Sequence, residues 1–430
     1  MMAHFSRKSY STVKTSLESS AGFSPFLLSA MDTVFMATYA VGNVVNGKLG
    51  DTFNPTTILA IGLFGSGVCL LGINGLIWAD IENQNQLLGN ILILGFYFVF
   101  GFAQATGGPV GTAVMGNWYC DEKSQKNRGM IFGLWTCHQY VGDVAAQLAS
   151  SAIFAYGIPY WWCLTIPSIA NLLWGFVTMQ LTADPADKGI VTPEVRARQI
   201  KNAEKAERGE EADAGPQAMG FVEAFCIPMV ANYAIAFGFF KLCNYAFFFW
   251  LPYFLANTFT DSEANFIASA YSFGMMPGGI IVGVVSDCLG GRRATVIGIF
   301  MVTLMIFLGV FALYSDDLSA HAFGIMLFCM GTLVGGPNNI ITSAVAADLS
   351  THPSVHGSKK VLGTITGLIN GTGSAVSAVG LLAIGPLQAR FGWSSVWYFM
   401  ILSTFIGTCL MGPKIKDELV GEKKKTYDEV

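Results

Sequence analysis

Long apolar segments, separated by short polar ones, run along almost the whole chain. The apolar segments are about 20 residues long or longer, which is the length that an α-helix needs to cross the hydrocarbon core of a bilayer. Strands of a membrane β-barrel would be shorter and would alternate apolar with polar residues, so the pattern excludes a barrel. The pattern predicts spanning helices over residues 27–49, 56–78, 88–116, 129–155, 159–181, 226–252, 264–285, 294–314, 321–346, 362–385 and 393–412.

The composition agrees with a membrane protein. Of the 430 residues, 53% are hydrophobic and 12% are charged, whereas soluble domains are about 25% charged. The 9 cysteines are scattered, without the paired spacing of a disulfide framework or a zinc site. We therefore predict an all-α polytopic membrane protein in contact with the lipid bilayer, with no metal, no cofactor and no nucleic acid among its partners.

One long polar segment, 183–220, divides the chain into two halves that share short motifs in the same order. Gly-x-x-x-Asp ends a predicted helix in each half, at 47–51 and at 283–287. Duplicated halves with a binding site between them are typical of secondary transporters. The predicted parts are an N-terminal bundle over 1–182, a cytoplasmic linker over 183–220, a C-terminal bundle over 221–413 and a cytoplasmic tail over 414–430.

Lysine and arginine concentrate in alternate connections between the predicted helices. Most of the 24 lie in segments 119–128, 183–220, 287–293 and 348–360 or after residue 412, and the opposite connections contain only Arg390. Basic loops of membrane proteins stay on the cytoplasmic side. These loops and the C-terminus are therefore predicted to face the cytoplasm.

A lysine stands inside one of the most apolar stretches of the chain. Lys241 lies in "GFFKLCNYAFFFWLPYF", residues 238–254, and a charge at the bilayer centre costs about 2.5–3.5 kcal/mol on insertion scales. The shared motifs place Arg7 at the equivalent position of the first half. Two such cations would converge on the central axis, so they predict a site for a compact dianion, with His138 as a third, pH-dependent donor.

A structural ion pair is the alternative interpretation, in which Lys241 pairs with Asp143 or Asp32 inside the membrane. If the cations instead bind a substrate, side chains nearby in the sequence offer hydroxyl, amide and aromatic surface that suits a sugar or polyol. These predicted contacts are Tyr39, Trp135, Asn244 and Tyr245.

The chain begins just before Arg7, so the first half has one predicted spanning helix fewer than the second. Two interpretations are open. Either the first helix is largely missing from this sequence, which we favour, or the N-terminal stretch is not inserted in the membrane.

Motifs along nearly the whole chain resemble one transporter family. They are "SRKSYSTVKTSL" from residue 6, "GNWY" from 116, "RGMIFGLWTCH" from 128, "KLCNYAFFFWLPYF" from 241 and "GGPNNIITSAVAADLSTH" from 335. Together they resemble the major facilitator superfamily, and within it the organophosphate:phosphate antiporters, in the sugar-phosphate exchanger branch that is similar to glucose-6-phosphate translocase. The resemblance implies a fold of two pseudo-symmetric six-helix bundles.

The resemblance also implies roles for individual residues. Arg7 and Lys241 match the basic residues that bind phosphate in the family, and His138 matches its fifth-helix histidine. The cytoplasmic gate of the superfamily matches Asp51, Asp287, Arg292 and Arg293. The sequence departs from the pattern after Asp51, where the usual basic residues are absent, and at Asn43 and Ser272, where bacterial glycerol-phosphate members carry a lysine and an acidic residue.

The predicted function is secondary active exchange of a sugar phosphate or glycerol phosphate for inorganic phosphate, by a monomer in the endoplasmic reticulum or another endomembrane. Three alternatives stay open at this point: a facilitator for another small anion or a drug, a sensor without transport on the same fold, and a membrane enzyme. The enzyme is the weakest, because His138 and Asp143 are five residues apart and would point to different faces of a helix.

Overall fold

In the computed structural model, every predicted apolar segment is mainly helical. The structure describes residues 1–119, 128–183, 185–190, 200, 220–315, 318–350, 352 and 362–428, and no strand occurs among them. Ten of the described helices are long and apolar enough to cross a membrane. The helices of the first half are α1 (Met2–Ser11), α2 (Lys14–Ala21), α3 (Pro25–Thr52), α4 (Pro55–Trp78), α5 (Ile81–Gln84), α6 (Gln86–Gln104), α7 (Pro109–Trp118), α8 (Arg128–Ala155) and α9 (Trp162–Leu181).

The second half repeats this pattern of long antiparallel helices. A π-helical turn, Ile341–Val345, joins two of them. The helices are α10 (Phe221–Phe225), α11 (Val230–Leu255), α12 (Asp261–Cys288), α13 (Arg293–Tyr314), α14 (Ala320–Ile340), α15 (Ala346–Ser350), α16 (Leu362–Phe391) and α17 (Trp393–Asp428).

Local sequence explains where several helices begin. Ser24 precedes Pro25, and its hydroxyl accepts a hydrogen bond from the Leu27 amide at 3.1 Å. Asn54 caps α4 in the same way, again with a proline as the first helical residue. A capping side chain satisfies an amide that has no partner in the first turn, and proline fits there because it has no amide hydrogen to lose.

Two predicted segments differ from the observed helices. The predicted span 88–116 is two helices, because the chain turns at residues 105–108 and restarts at Pro109. A proline removes one helical hydrogen bond and a glycine weakens the helix, so "GGP" favours a break there. At the other end of the chain, α17 continues past residue 413 to Asp428.

The N-terminal residues lie inside the bundle. The sequence predicted a first helix that is largely missing, and at this place the structure has α1 and α2, which pack against α8, α9 and α11. Gly142 on α8 makes this approach possible, because a Cβ atom there would lie 2.4 Å from the Met1 carbonyl oxygen. The N-terminal stretch is therefore packed among the helices of the bundle.

The two halves meet at the ends of the helices that lie away from the basic loops. Ser29 on α3 accepts a hydrogen bond from the Gly385 amide of α16 at 2.7 Å. Across the other seam, the hydroxyls of Ser151 on α8 and Ser262 on α12 are 3.2 Å apart. These contacts close the interface at that end of the molecule.

Candidate functional site

Arg7 is a buried cation, with 3% of its surface exposed. Its guanidinium lies over the ring of Tyr39, 4.5 Å from the centroid, and over the ring of Phe35 at 5.2 Å. It donates to the Gln104 side chain at 3.4 Å and to the Tyr245 hydroxyl at 3.5 Å, and its Nε atom has no hydrogen-bond partner. Bonds of this length are weak, so the aromatic rings orient the guanidinium while its donors remain available.

Lys241 is the second buried cation, with 4% of its surface exposed. Its ammonium donates to two side chains of α16, Asn370 Oδ1 at 2.6 Å and Ser374 Oγ at 2.7 Å, and to the Asn370 carbonyl at 3.3 Å. All of these acceptors are neutral. They satisfy the three donors of the ammonium group but leave its charge uncompensated.

Tyr245 connects the two cations. Its hydroxyl accepts from Arg7, and its ring centroid lies 5.8 Å from the Lys241 ammonium. Arg7 belongs to the first half and Lys241 to the second, so the pair spans the interface between the halves. Among the described residues, no carboxylate lies within ion-pairing distance, 4.0 Å, of either cation. The two side chains therefore form a positively charged centre.

A third cation, Lys8, extends this centre. It is fully buried, its ammonium donates to the Phe248 carbonyl oxygen, and it lies 4.5 Å from the centroid of the Phe248 ring. Lys8 follows Arg7 in the chain and contacts the same helix, α11, from the opposite half. It shows that α1 carries more than one positive charge into the interface.

The two aspartates of the alternative ion pair have other partners. Asp32 accepts from Lys14 at 2.6 Å, and Asp143 lies 3.2 Å from the Nδ1 atom of His4. Neither carboxylate contacts Lys241. The structure therefore contradicts the alternative in which Lys241 serves as the counter-ion of Asp32 or Asp143.

The other predicted contacts divide into two groups. Tyr39 and Tyr245 lie directly against Arg7, and Asn244 follows Lys241 by one helical turn, where it accepts a hydrogen bond from Tyr271 at 3.0 Å. Trp135 and His138 form a separate pair on α8. Their rings are 4.8 Å apart, and His138 Nδ1 is hydrogen-bonded to the Trp135 carbonyl.

The predicted gate residues lie at the helix ends that carry the basic loops. Asp287 is exposed in the last turn of α12, and Arg293 at the start of α13 forms an ion pair with Asp348, with Nε and Oδ2 2.7 Å apart. Arg292 is the N-cap residue of α13. The side chain of Asp51 lies outside the part of the chain that the structure describes.

Several residues of the centre escaped the sequence analysis. Asn370 and Ser374 hold Lys241, and Gln104, which donates to Ser6 at 2.9 Å, contacts Arg7. Small polar residues are common in membrane helices as helix-to-helix contacts, so their side chains carry no distinctive signal. The spacing of Asn370 and Ser374, four residues apart on one helix face, would have been the available clue.

Comparison with known proteins adds to this geometry. A family model described as Major Facilitator Superfamily matches residues 1–381. The protein named "Putative glycerol-3-phosphate transporter 1" of Arabidopsis thaliana is 31% identical over 438 residues, covering 96% of this chain and 80% of the relative. Sugar phosphate exchanger 3 of Homo sapiens is 30% identical over 466 residues, covering 97% and 91%.

Solved structures resemble the chain in fold alone. The inward-open conformation of the xylose transporter XylE from E. coli has a TM-score of 0.69 at 9% identity, covering 95% of this chain and 93% of that one. The nucleoside transporter NupG has a TM-score of 0.64 at 14% identity, covering 96% of each chain.

Proposed function

Because this chain belongs to the Major Facilitator Superfamily, we propose that it carries a sugar phosphate or glycerol phosphate across a membrane in exchange for inorganic phosphate. The chain is a transporter and not an enzyme. Its relatives named as sugar phosphate exchangers and glycerol-3-phosphate transporters support the organophosphate as substrate. The exchange for phosphate rests on the charge of the site.

One observation carries the proposal. Arg7 of the first half donates to Tyr245 of the second half, which lies one helical turn from Lys241, and no described carboxylate lies within 4.0 Å of either cation. A phosphate monoester carries about −1.5 to −2 charges near neutral pH, which balances two cations. Arg7 can hold two phosphate oxygens with its planar fork, and Lys241 can exchange the neutral Asn370 and Ser374 for a charged acceptor. The phosphate group is therefore the common part of both substrates.

Exchange, rather than one-way transport, follows from the same charges. When the site is empty, closing the two halves around it brings like charges together in a low dielectric, which is unfavourable. Either inorganic phosphate or an organophosphate removes that cost. The loaded carrier should therefore change sides readily and the empty carrier slowly, which couples the two fluxes by alternating access.

The cations also explain why movement is needed. Both are almost completely buried in this conformation, so an anion reaches them only when the halves separate at one end. Domain rocking of this kind is how carriers built from two bundles expose a central site. The gate residues Asp51, Asp287, Arg292 and Arg293 would control the end with the basic loops.

The organic part of the substrate would lie beside the phosphate. Tyr39 and Tyr245 present hydroxyls next to Arg7, and Asn244 presents an amide one turn from Lys241. Trp135 and His138 would complete this wall from α8, with the Nε2 atom of His138 as a third donor to the anion. We propose that these five residues bind the sugar or glycerol moiety and the phosphate oxygens that Arg7 and Lys241 do not hold.

The orientation and location follow from sequence. The basic connections and the C-terminus would face the cytoplasm because of their lysines and arginines. The bundles would extend over 1–182 and 221–413, with the segments 183–220 and 414–430 on the cytoplasmic side. The carrier would act as a monomer in the endoplasmic reticulum or another endomembrane, as the resemblance to the sugar-phosphate exchangers implies.

Counterflow in liposomes tests the function. The purified chain is reconstituted in vesicles loaded with inorganic phosphate, and uptake of labelled glucose-6-phosphate, glycerol-3-phosphate and phosphoenolpyruvate is measured. We expect uptake of at least one of them that depends on internal phosphate and is absent with Lys241→Ala. Uptake that is independent of internal phosphate would refute the exchange, and binding without uptake would indicate a sensor.

A further inference from the structure

A second buried lysine, Lys14, lies between the two halves. It is nearer to the end of the molecule that lies away from the basic loops, where Ser29 and Ser151 contact the opposite half. Lys14 on α2 and Asp32 on α3 form an ion pair of 2.6 Å, and both side chains are completely buried. The second carboxylate oxygen of Asp32 has no hydrogen-bond partner. The pair is therefore enclosed in protein without the full set of hydrogen bonds that would offset its loss of water.

The nearest aromatic side chain over this pair comes from the opposite half. The ring of Trp250 on α11 lies against the Lys14 ammonium, 3.8 Å from ammonium to centroid. Phe249, next in the chain, lies 5.6 Å from the same ammonium. Lys14 and Asp32 belong to the first half, as does Tyr10, whose ring centroid lies 5.0 Å from the same ammonium, whereas Trp250 and Phe249 belong to the second half. We call Lys14, Asp32 and Trp250 the Lys14 cluster.

Contacts around the Lys14 cluster also cross the interface. Glu18, one turn further along α2, accepts a hydrogen bond from the Tyr253 hydroxyl of α11. Thr12, two residues before α2, accepts a hydrogen bond from Asn265 of α12 through its carbonyl at 3.1 Å. The cluster therefore lies in the seam that must part when this end of the carrier opens.

We propose that Lys14 and Asp32 are positioning residues of the transport cycle, which set how readily the end of the carrier away from the basic loops opens. This inference rests on the alternating-access exchange proposed above. When that end closes, Trp250 covers the ion pair and excludes water; when it opens, Trp250 withdraws and the pair is hydrated. The pair loses its hydration only in the closed state, and this desolvation raises the free energy of that state. The closed end can therefore open again readily.

The sign of the effect follows from the cost of burying charge. Replacing a buried ion pair by apolar side chains of similar size is often neutral or stabilising, whereas removing one partner leaves an uncompensated charge. An apolar pair should therefore favour the closed end, and a single charge should disfavour it. A merely structural pair would change the stability of the fold without changing this balance.

A cross-link between the halves measures the balance directly. Ser151 and Ser262 have hydroxyls 3.2 Å apart at the same end, so the full-length Ser151→Cys, Ser262→Cys protein can form a disulfide only when that end is closed. The rate of disulfide formation is measured in liposomes without substrate, under a fixed oxidant concentration, by mass spectrometry of the linked peptide. The protein with either cysteine alone is the control for unspecific oxidation.

Four variants, built from three further substitutions, are compared in this background. With Lys14→Met, Asp32→Leu we expect cross-linking to be about threefold faster or more, and with Lys14→Met or Asp32→Leu alone to be roughly tenfold slower or more. Lys14→Arg, which keeps the charge, should cross-link at nearly the parent rate. Exchange by the double variant should be slower than exchange by the parent, because the closed end opens less readily.

Equal cross-linking rates in the parent and the double variant would overturn the proposal. Because the double variant carries no stranded charge, it decides the question even if the single variants do not fold. Cross-linking needs no substrate, so it is independent of the substrate assignment. If the variants cross-link in the expected order of rates but phosphate counterflow fails, only the proposed substrates are wrong. If counterflow is normal but the rates do not follow that order, only the role of Lys14 and Asp32 is wrong.

Discussion

Two lysines buried in the same interface have opposite surroundings. Lys14 contacts a carboxylate, Asp32, at 2.6 Å, whereas the acceptors around Lys241 are the neutral groups of Asn370 and Ser374 at 2.6 and 2.7 Å. Distances and burial are nearly equal, so the difference is only in charge. A lysine with a carboxylate is neutralised permanently, and a lysine among neutral acceptors retains a charge that a substrate can neutralise.

This difference separates a paired cation, Lys14, from a binding cation, Lys241, by its partner and not by its depth. Both lysines would be expensive as isolated charges in the membrane. Neutral hydrogen-bond acceptors reduce that cost enough for the protein to fold, but they bind an ammonium less strongly than a phosphate dianion does. Substitutions that remove one of the two lysines, or that change its partner, test this difference.

The largest effect is expected for the binding cation. Lys241→Ala should reduce phosphate exchange by more than about a hundredfold, because a dianion would lose one of its two charged partners in a buried site. Its thermal stability in detergent should be close to that of the parent, because no carboxylate is left without a partner. A large loss of stability instead would mean that Lys241 has a structural role.

Loss of the paired cation, Lys14, should reduce the stability of the protein. Lys14→Met should lower the free energy of unfolding by about 3–5 kcal/mol, because it strands the Asp32 carboxylate in a dry interface. Adding Asp32→Leu should restore most of that stability. Thermal melts of the single and double variants provide the measurement, and an additive loss in the double variant would contradict the pairing.

A single substitution, Asn370→Asp, should give Lys241 a carboxylate partner like the one that Lys14 has. Asn370→Asp places a carboxylate oxygen where the amide oxygen now lies, 2.6 Å from the Lys241 ammonium. Exchange should fall roughly tenfold or more, since a charged acceptor holds the ammonium about twice as strongly as a neutral one. Ser374→Ala is the control, because it removes an acceptor and adds no charge. If Asn370→Asp exchanged at the parent rate, the net charge of the site would not matter.

Keeping the charge but changing its shape should have a milder effect. Lys241→Arg retains a cation but replaces a compact ammonium by a larger planar fork. We expect exchange to fall several-fold and KM for phosphate to change more than the stability does. Complete loss of exchange would show that the geometry of Lys241 matters as much as its charge.

The smallest effect concerns the gate at the basic end. Asp287→Asn should slow exchange by a few-fold and leave substrate binding nearly unchanged, because Asp287 is exposed at the end of α12 whereas both cations are buried. Asp417→Asn, an exposed aspartate on α17, is the matched control. Equal losses of binding and exchange with Asp287→Asn would contradict a gating role.

The sequence was sufficient for the spanning helices and for finding the two cations. Hydropathy reports whether a segment is long and apolar, so each predicted span is a helix, but it averages over a few residues and misses the turn at 105–108. It also does not report which side chains face each other. Asp32 was a candidate partner of Lys241 from sequence, and only the packing of α2 against α3 gives it to Lys14.

The neutral partners of Lys241 were invisible for a related reason. Asn370 and Ser374 lie in "NGTGS", which reads as an ordinary helix of small residues. Their role depends on α16 packing beside α11, and that contact joins residues more than a hundred positions apart. Sequence can thus indicate which residue is charged, whereas the acceptors that leave the charge unbalanced come from tertiary structure.

The contact between Gly385 and α3 has a practical consequence. A Cβ atom at Gly385 would lie 2.1 Å from the Pro25 carbonyl oxygen, so even the smallest side chain would act as a steric wedge in this seam. Such a wedge would hold one end of the carrier open without altering any charge. Gly385→Ala is therefore a route to trapping the protein in the conformation that is open at this end. The trapped protein could then be used to select inhibitors that bind this conformation alone.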